Sequence, residues 1–214
     1  MTAVVPAAVG LSHRPAAVVT VAGGCLLLVA RPPLLGSVGN PQAVLVVLFV
    51  ALLVVGWGWP LTSAAPRTLP PSGDPQGRIA TLNVPGTSLG VRWMVLGVGV
   101  GVGVAAFAVG RLLGGGEAPS PAVLPLVALN SLAAVAEEAF FRRLAFAALL
   151  PGGAALAVVG SAMLFAVVHV TVYGPWVLPL DLAAGMVLSW QRWATGSWGV
   201  PAVTHVVANL LVVF

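Results

Sequence analysis

Two adjacent carboxylates and two guanidiniums stand together in a part of the chain that otherwise carries almost no charge. Glu137 and Glu138 precede Arg142 and Arg143 within the mostly apolar run 121–150. An ionisable group inside an apolar membrane segment is costly, so it is a candidate functional group. In a helix, Glu138 and Arg142 face each other as an ion pair, whereas Glu137 points about 100° away. The spacing therefore predicts that Arg142 holds one glutamate and leaves the other free for chemistry.

Histidine and asparagine side chains supply further candidate groups. His169 and His205 both fall in apolar runs, and Asn209 follows His205 at a spacing typical of one helical face. An imidazole can move protons near neutral pH, and a pair of hydrogen-bond donors can stabilise negative charge on an oxygen. With a carboxylate, these groups make up the set needed for water to attack a carbonyl. The spacing alone leaves open whether they converge in space.

The composition indicates an integral membrane protein. Of the 214 residues, 59% are hydrophobic and only 7% are charged, whereas about 25% of the residues in a soluble domain are charged. The nine basic residues are arginines spread between apolar runs, and they form no stripe that could bind nucleic acid. The single cysteine, Cys25, excludes an internal disulfide and a cysteine-based metal cluster. The expected surroundings are therefore a lipid bilayer.

Long apolar runs predict an all-α, polytopic transmembrane helical bundle with about seven spanning helices. A spanning helix needs about 20 mostly apolar residues. The runs that approach this length are 16–30, 42–59, 91–113, 121–149, 154–172, 176–194 and 197–214. The region 1–90 is expected to hold an N-terminal tail, two transmembrane helices and a Pro-rich loop over 60–90. The region 91–214 is expected to hold the other transmembrane helices.

The third apolar run contains an alternating Gly-Val repeat over 97–104. Such alternation is typical of a strand in a soluble protein, but a lone strand cannot satisfy its backbone polar groups in lipid, so a helix is predicted. Gly99 and Gly103 stand four residues apart and would allow another helix to approach closely. Packing within the chain is the favoured interpretation, with dimerisation as the alternative.

The arginines in the short connections predict the orientation. With a cytoplasmic N-terminus, the inner side carries Arg14, Arg67, Arg78, Arg92, Arg143 and Arg192, and the outer side carries Arg31 and Arg111. An excess of arginine marks the cytoplasmic side. The sequence therefore predicts a multi-pass protein of the cell membrane, with its N-terminus and the carboxylate pair on the cytoplasmic side.

Three motifs in series resemble those of the CAAX protease and bacteriocin-processing family, which includes the type II CAAX prenyl endopeptidases. The pattern EExxxR lies at 137–142, FxxxH at 165–169 and HxxxN at 205–209. Each motif alone is weak, but the three in this order are a strong signal. The resemblance covers about residues 120–212, which would be the catalytic core.

The resemblance implies an intramembrane glutamic endopeptidase that hydrolyses a membrane-associated peptide or protein. By motif position, Glu137 would activate water together with His169. His205 and Asn209 would form the oxyanion hole. The site would open towards the cytoplasm, and no cofactor is implied.

The same resemblance implies that Glu138 and Arg142 shape the site and contact substrate. One departure lies nearby, because Asp181 stands where the family commonly has a glycine. Its position close to Pro179 favours a carboxylate at a helix end on the membrane surface over an additional substrate contact.

Two other interpretations stay open. Glu137, His169 and His205 could hold a zinc ion, although the chain lacks a His-Glu-x-x-His pattern and Arg142 would repel a metal. The polar groups could instead serve a proton-coupled transporter or a non-catalytic scaffold or immunity protein. No internal repeat or pair of broken helices supports a transporter. The expectation is a protease with neither metal nor cofactor, whose oligomeric state the sequence does not indicate.

Overall fold

The computed structural model describes residues 13–61, 89–114 and 123–213, and these ranges form helices joined by short connections, without strands. The helices are α1 (Arg14–Val29), α2 (Arg31–Gly36), α3 (Pro41–Gly58), α4 (Leu89–Gly114), α5 (Val123–Glu138), α6 (Phe146–Leu149), α7 (Ala154–Tyr173), α8 (Leu178–Thr195) and α9 (Gly199–Val213). A seven-residue π-helical segment, Ala139–Ala145, joins α5 to α6 and is called the π turn below. The predicted tail and most of the predicted Pro-rich loop lie outside the described residues.

The predicted all-α class is confirmed, and each predicted span contains a helix. Among the described helices, α3 and α7 are long and apolar enough to cross a membrane. Shorter apolar helical stretches lie in α1, α4 and α9. The count of seven spans and the division into 1–90 and 91–214 stay predictions. The sequence prediction missed α2, whose six residues are too few to produce an apolar run.

Proline, asparagine and glycine set the helix limits. The side chain of Asn40 accepts a hydrogen bond from the backbone of Ala43, and Pro41 opens α3, where its missing N–H costs nothing. Gly174 follows α7 with φ of 88°, and Gly196 ends α8 with φ of 67°. A residue with a Cβ rarely adopts such angles, so glycine allows the sharp reversal between consecutive helices.

The segment made of α5, the π turn and α6 runs through the middle of the bundle. It contacts α1, α3, α7, α8 and α9, and the side chains of Phe140, Phe141, Leu144 and Phe146 are fully buried. In a bilayer the lipid tails are as apolar as leucine, so close packing holds such helices together rather than escape from water. This central segment fixes the positions of the helices that surround it.

The Gly-Val repeat is helical, as predicted, and lies within α4. A Cβ on Gly99 would lie 3.1 Å from the side chain of Thr195, and one on Gly103 would lie 2.2 Å from that of Gln191. Helix α8 can approach α4 this closely because both positions are glycine. The two glycines therefore serve packing within the chain.

Candidate active site

The predicted ion pair of the first motif is present at the end of α5. Nη1 of Arg142 lies 3.0 Å from Oε1 of Glu138, and both side chains are fully buried. Nη2 of Arg142 donates to the carbonyl of Gly185 on α8, and its guanidinium lies 4.4 Å from the centre of the Phe165 ring. The buried charges are therefore compensated by each other, by a backbone dipole and by an aromatic face.

The third motif joins this pair through a histidine. Nδ1 of His205, on α9, lies 2.9 Å from Oε1 of Glu138, the same oxygen that faces Arg142. A carboxylate only accepts hydrogen bonds, so Nδ1 carries the hydrogen and donates it. This contact turns Nε2, the other ring nitrogen, away from Glu138. Glu138 therefore orients His205 while it neutralises Arg142.

Glu137 faces the histidine of the second motif. Its Oε1 lies 3.8 Å from Nε2 of His169, and both side chains are about nine-tenths buried. Nδ1 of His169 lies 2.7 Å from the carbonyl of Phe165, to which it can only donate. The lone pair of Nε2 is then directed towards Glu137. Among the described residues, no arginine lies within ion-pair distance of Glu137, so the predicted contrast between the two glutamates holds in the structure.

Aromatic rings hold the imidazole of His169 on both sides. Phe165 and Tyr173 lie one turn before and one turn after it on α7, with ring centres 4.5 Å and 5.9 Å away. The Tyr173 ring is parallel to the imidazole within 6°. Phe165 also lies 5.7 Å from the ring of His205. The sequence analysis did not assign Tyr173, although its spacing of four from His169 places it on the same helical face.

Asp181 lies closer to the site than its predicted role implied. It stands in the first turn of α8, as expected for a carboxylate at a helix end. Its Oδ2, however, lies 3.9 Å from Nδ1 of His169, and the side chain is about four-fifths buried. Asp181 therefore flanks the imidazole opposite Glu137. The helix-end position is as predicted, and the α7–α8 turn folds this end of α8 against the site. A location at the membrane surface stays a prediction.

Asn209, the last residue of the third motif, lies one turn after His205 on α9. Its Nδ2 donates to the backbone carbonyl of Asn130 on α5, at 3.2 Å. The amide group has a second N–H, which is the group an oxyanion contact would need. The structure therefore brings Glu137, Glu138, His169 and His205 together and places Asn209 beside α5.

Several arginines used to predict orientation lie inside the bundle instead of in connections. Arg192 is 2% exposed and Arg31 is 9% exposed. Arg143 is half-buried and donates to the carbonyls of Gly56 and Trp59 on α3. An arginine that bonds inside the protein cannot be counted towards either side of the membrane when the orientation is predicted. The cytoplasmic position of the N-terminus and of the site therefore stays a prediction.

The side chains named as possible zinc ligands have other neighbours here. Among the described residues, no three His, Cys, Asp or Glu side chains are grouped as a metal site. His205 points Nδ1 at Glu138, and the guanidinium of Arg142 lies 3.0 Å from the same carboxylate.

Comparison with protein families finds one match to part of the chain. Residues 119–211 match the family described as "Type II CAAX prenyl endopeptidase Rce1-like". The match spans α5 to α9 almost completely and includes all the residues of the candidate site, and it agrees with the predicted extent of 120–212. The match and the apolar helices together support a membrane location. Comparisons with curated proteins and with solved structures found no match.

Proposed function

We propose that this protein, whose residues 119–211 belong to the Rce1-like family of type II CAAX prenyl endopeptidases, hydrolyses a peptide bond of a membrane-associated peptide or protein. The family implies protease activity. The observation that best supports the detailed mechanism is the pairing of an uncompensated glutamate with a histidine, Glu137 with His169, beside a histidine oriented by Glu138.

Glu137 and His169 are suited to activate one water molecule. Their 3.8 Å separation exceeds a direct hydrogen bond, but one water can lie within bonding distance of both. The Glu137 carboxylate takes one proton from this water, while Nε2 of His169 accepts a hydrogen bond from the hydrogen that stays on the oxygen. The water oxygen then forms a bond to the carbonyl carbon of the substrate.

His205 is suited to stabilise the oxyanion that this attack creates. Because Nδ1 donates to Glu138, Nε2 carries a hydrogen only in the imidazolium form. In that form, Nε2–H can donate to the carbonyl oxygen as it becomes negative. The free N–H of Asn209 would supply the second donor.

Collapse of the tetrahedral intermediate completes the reaction. The carbonyl forms again, the carbon–nitrogen bond breaks, and protonated Glu137 gives its proton to the leaving nitrogen. The products are a carboxylic acid and an amine, and Glu137 returns to its starting charge. Each step uses groups that the chain itself supplies.

The test is cleavage of a quenched peptide library by the purified protein in detergent. Half of the library carries a prenylated cysteine, so the products also report the substrate class. We expect wild-type protein to cleave, with or without a chelator, and Glu137→Gln to be inactive. Cleavage abolished by the chelator would favour a zinc protease. Peptide cleavage by Glu137→Gln at the wild-type rate would contradict the proposal. Absence of cleavage by the wild-type protein would favour a scaffold.

A further inference from the structure

The π turn has unusual hydrogen bonds to neighbouring helices. Within Ala139–Ala145 the carbonyl of Phe141 accepts a hydrogen bond from Oγ of Ser161 at 2.9 Å. The next carbonyl, that of Arg142, accepts one from Nε of Arg192 at 2.9 Å. The first donor comes from α7 and the second from α8. The carbonyl of Phe141 also accepts from the backbone N–H of Phe146, five residues further along, which is the π-helical hydrogen bond. The side-chain donors therefore add bonds from α7 and α8 to the wide turn itself.

Both donors are enclosed in the bundle and have no role in the three motifs. Ser161 is fully buried and Arg192 is 2% exposed. The guanidinium of Arg192 also lies 5.3 Å from the centre of the Phe146 ring, just beyond the π turn. Burial of an arginine is expensive unless its contacts compensate for the lost water. The burial of Arg192 is therefore best explained by its hydrogen bond to the Arg142 carbonyl in the π turn.

We propose that Ser161 and Arg192 are positioning residues that keep the π turn in its register. The π turn begins at the residue after Glu138 and includes Arg142. A π turn places more residues in each turn than an α-helix does, so closing it into α-helical register would rotate the side chain of Arg142 relative to Glu138.

A rotation of Arg142 would also affect His205, because both residues contact Glu138. Arg142 and His205 share Oε1 of Glu138, at 3.0 Å and 2.9 Å. A rotation of Arg142 would leave the carboxylate without its cation and would change the direction in which Glu138 holds the imidazole. The effect on catalysis rests on the proposed function, whereas the effect on the π turn does not.

Ser161→Ala tests the proposal, and Ser189→Ala is its matched control. Both serines are fully buried, but in the described part of the chain Oγ of Ser189 has no hydrogen-bond partner. We expect Ser161→Ala to lower kcat about tenfold with KM unchanged, because small misplacements of catalytic groups are costly, and Ser189→Ala to stay within about twofold of wild type. Equal kcat in the two variants would overturn the proposal.

A second kinetic comparison separates positioning from general destabilisation. If Ser161 acts through Glu138, then Ser161→Ala combined with Glu138→Gln loses no more activity than Glu138→Gln alone. Two independent effects would instead multiply, and that outcome would contradict positioning. Ser161→Thr, which keeps a hydroxyl, should recover part of the lost kcat.

Hydrogen exchange gives a result that does not depend on activity. Backbone amides of residues 139–146 should exchange several-fold faster in Ser161→Ala and in Arg192→Gln than in Ser189→Ala, since local opening becomes easier when the turn loses a side-chain bond to α7 or α8. Equal exchange in all three variants would overturn the proposal. If the wild-type protein cleaves no peptide, the proposed function fails. Hydrogen exchange would still show whether Ser161 and Arg192 stabilise the π turn.

Discussion

The central segment of α5, the π turn and α6 has two contrasting sides. On the side of α1 and α3, a Cβ added to Gly24 would lie 2.4 Å from the Phe140 ring, and one added to Gly56 would lie 2.5 Å from the backbone of Ala139. On the side of α7, α8 and α9, the same segment presents the Glu138–Arg142 pair to His205 and to a backbone carbonyl of α8. The first side, called the apolar side below, is held mainly by close packing, together with the bonds from Arg143 to carbonyls of α3. The other side is held by buried charge.

The family match covers the helices on the polar side of the central segment but not those on the apolar side. It covers α5 to α9, which include the polar side and all its partners, and excludes α1 to α4. Buried hydrogen bonds require particular residues at particular positions, whereas an apolar contact tolerates many combinations of similar volume. We infer that α1 and α3 support the central segment while α5 to α9 carry the chemistry. Substitutions on the two sides should therefore have different effects.

Glu137→Gln and Glu138→Gln test the polar side with the largest expected effects. Loss of the general base in Glu137→Gln should lower kcat by about 10³- to 10⁴-fold and leave the melting temperature unchanged. Glu138→Gln should also lower thermal stability, because removing one partner of a buried ion pair costs about 3–5 kcal/mol. Peptide cleavage and thermal unfolding in detergent measure both. Equal stability losses in the two variants would contradict the distinction between free and held glutamate.

His205→Gln and Asn209→Ala should rank next. Loss of an oxyanion donor costs about 10²- to 10³-fold in kcat, and we expect this loss in His205→Gln because Glu138 already orients that ring. Asn209→Ala should lose less activity, since one N–H of Asn209 is bonded to the carbonyl of Asn130. Steady-state kinetics on the same peptide measures both. A larger loss in Asn209→Ala would reverse the assigned order of the two donors.

Gly24→Ala tests the apolar side and has Gly23→Ala as its control. A Cβ at position 24 collides with the buried Phe140 ring, whereas one at position 23 meets nothing within 4 Å. Crowding should lower the free energy of unfolding by about 1–3 kcal/mol in Gly24→Ala, and Gly23→Ala should be neutral or stabilising because alanine favours a helix. The kcat of the folded fraction should match wild type in both. A selective loss of kcat in Gly24→Ala would show that α1 takes part in catalysis.

Asp181→Asn should have the smallest effect. The carboxylate lies 3.9 Å from Nδ1 of His169, and its negative charge would make Nε2 of that ring a stronger hydrogen-bond acceptor for the attacking water. A partly screened charge pair contributes about 0.5–1 kcal/mol, so kcat/KM should fall about two- to fivefold. The comparison of Asp181→Asn with Asp181→Glu, which keeps the charge, isolates this contribution. Unchanged kcat/KM in Asp181→Asn would show that Asp181 takes no part in catalysis.

Residue type and spacing predicted the helical class and the Glu138–Arg142 pair, whereas the convergence of the two histidines was implied only by the family resemblance. The first two features follow from short-range geometry, since an ion pair at a spacing of four lies within one helix. Apolar runs predict helices because a backbone in lipid must satisfy its own hydrogen bonds. The motif order indicated which helices meet, although spacing alone could not.

Features that depend on packing between helices were missed. The π turn has no sequence signature of its own, because two of its carbonyls accept hydrogen bonds from Ser161 and Arg192, which come from distant parts of the chain. Arg192 was assigned to a connection since a single arginine near the end of an apolar run is typical of a membrane boundary. The place of Asp181 beside His169 depends on how α8 folds back on α7, which neither residue type nor spacing reports.

The most direct test of the central claim, that Glu137 drives peptide hydrolysis in the membrane, is made in cells. Membranes from cells that produce wild-type protein or Glu137→Gln at equal levels are compared by mass spectrometry of peptide termini. We predict new termini that occur only with the wild-type protein, from one or a few membrane-associated substrates. The same set of termini with both proteins would contradict the assignment of this chain as a protease.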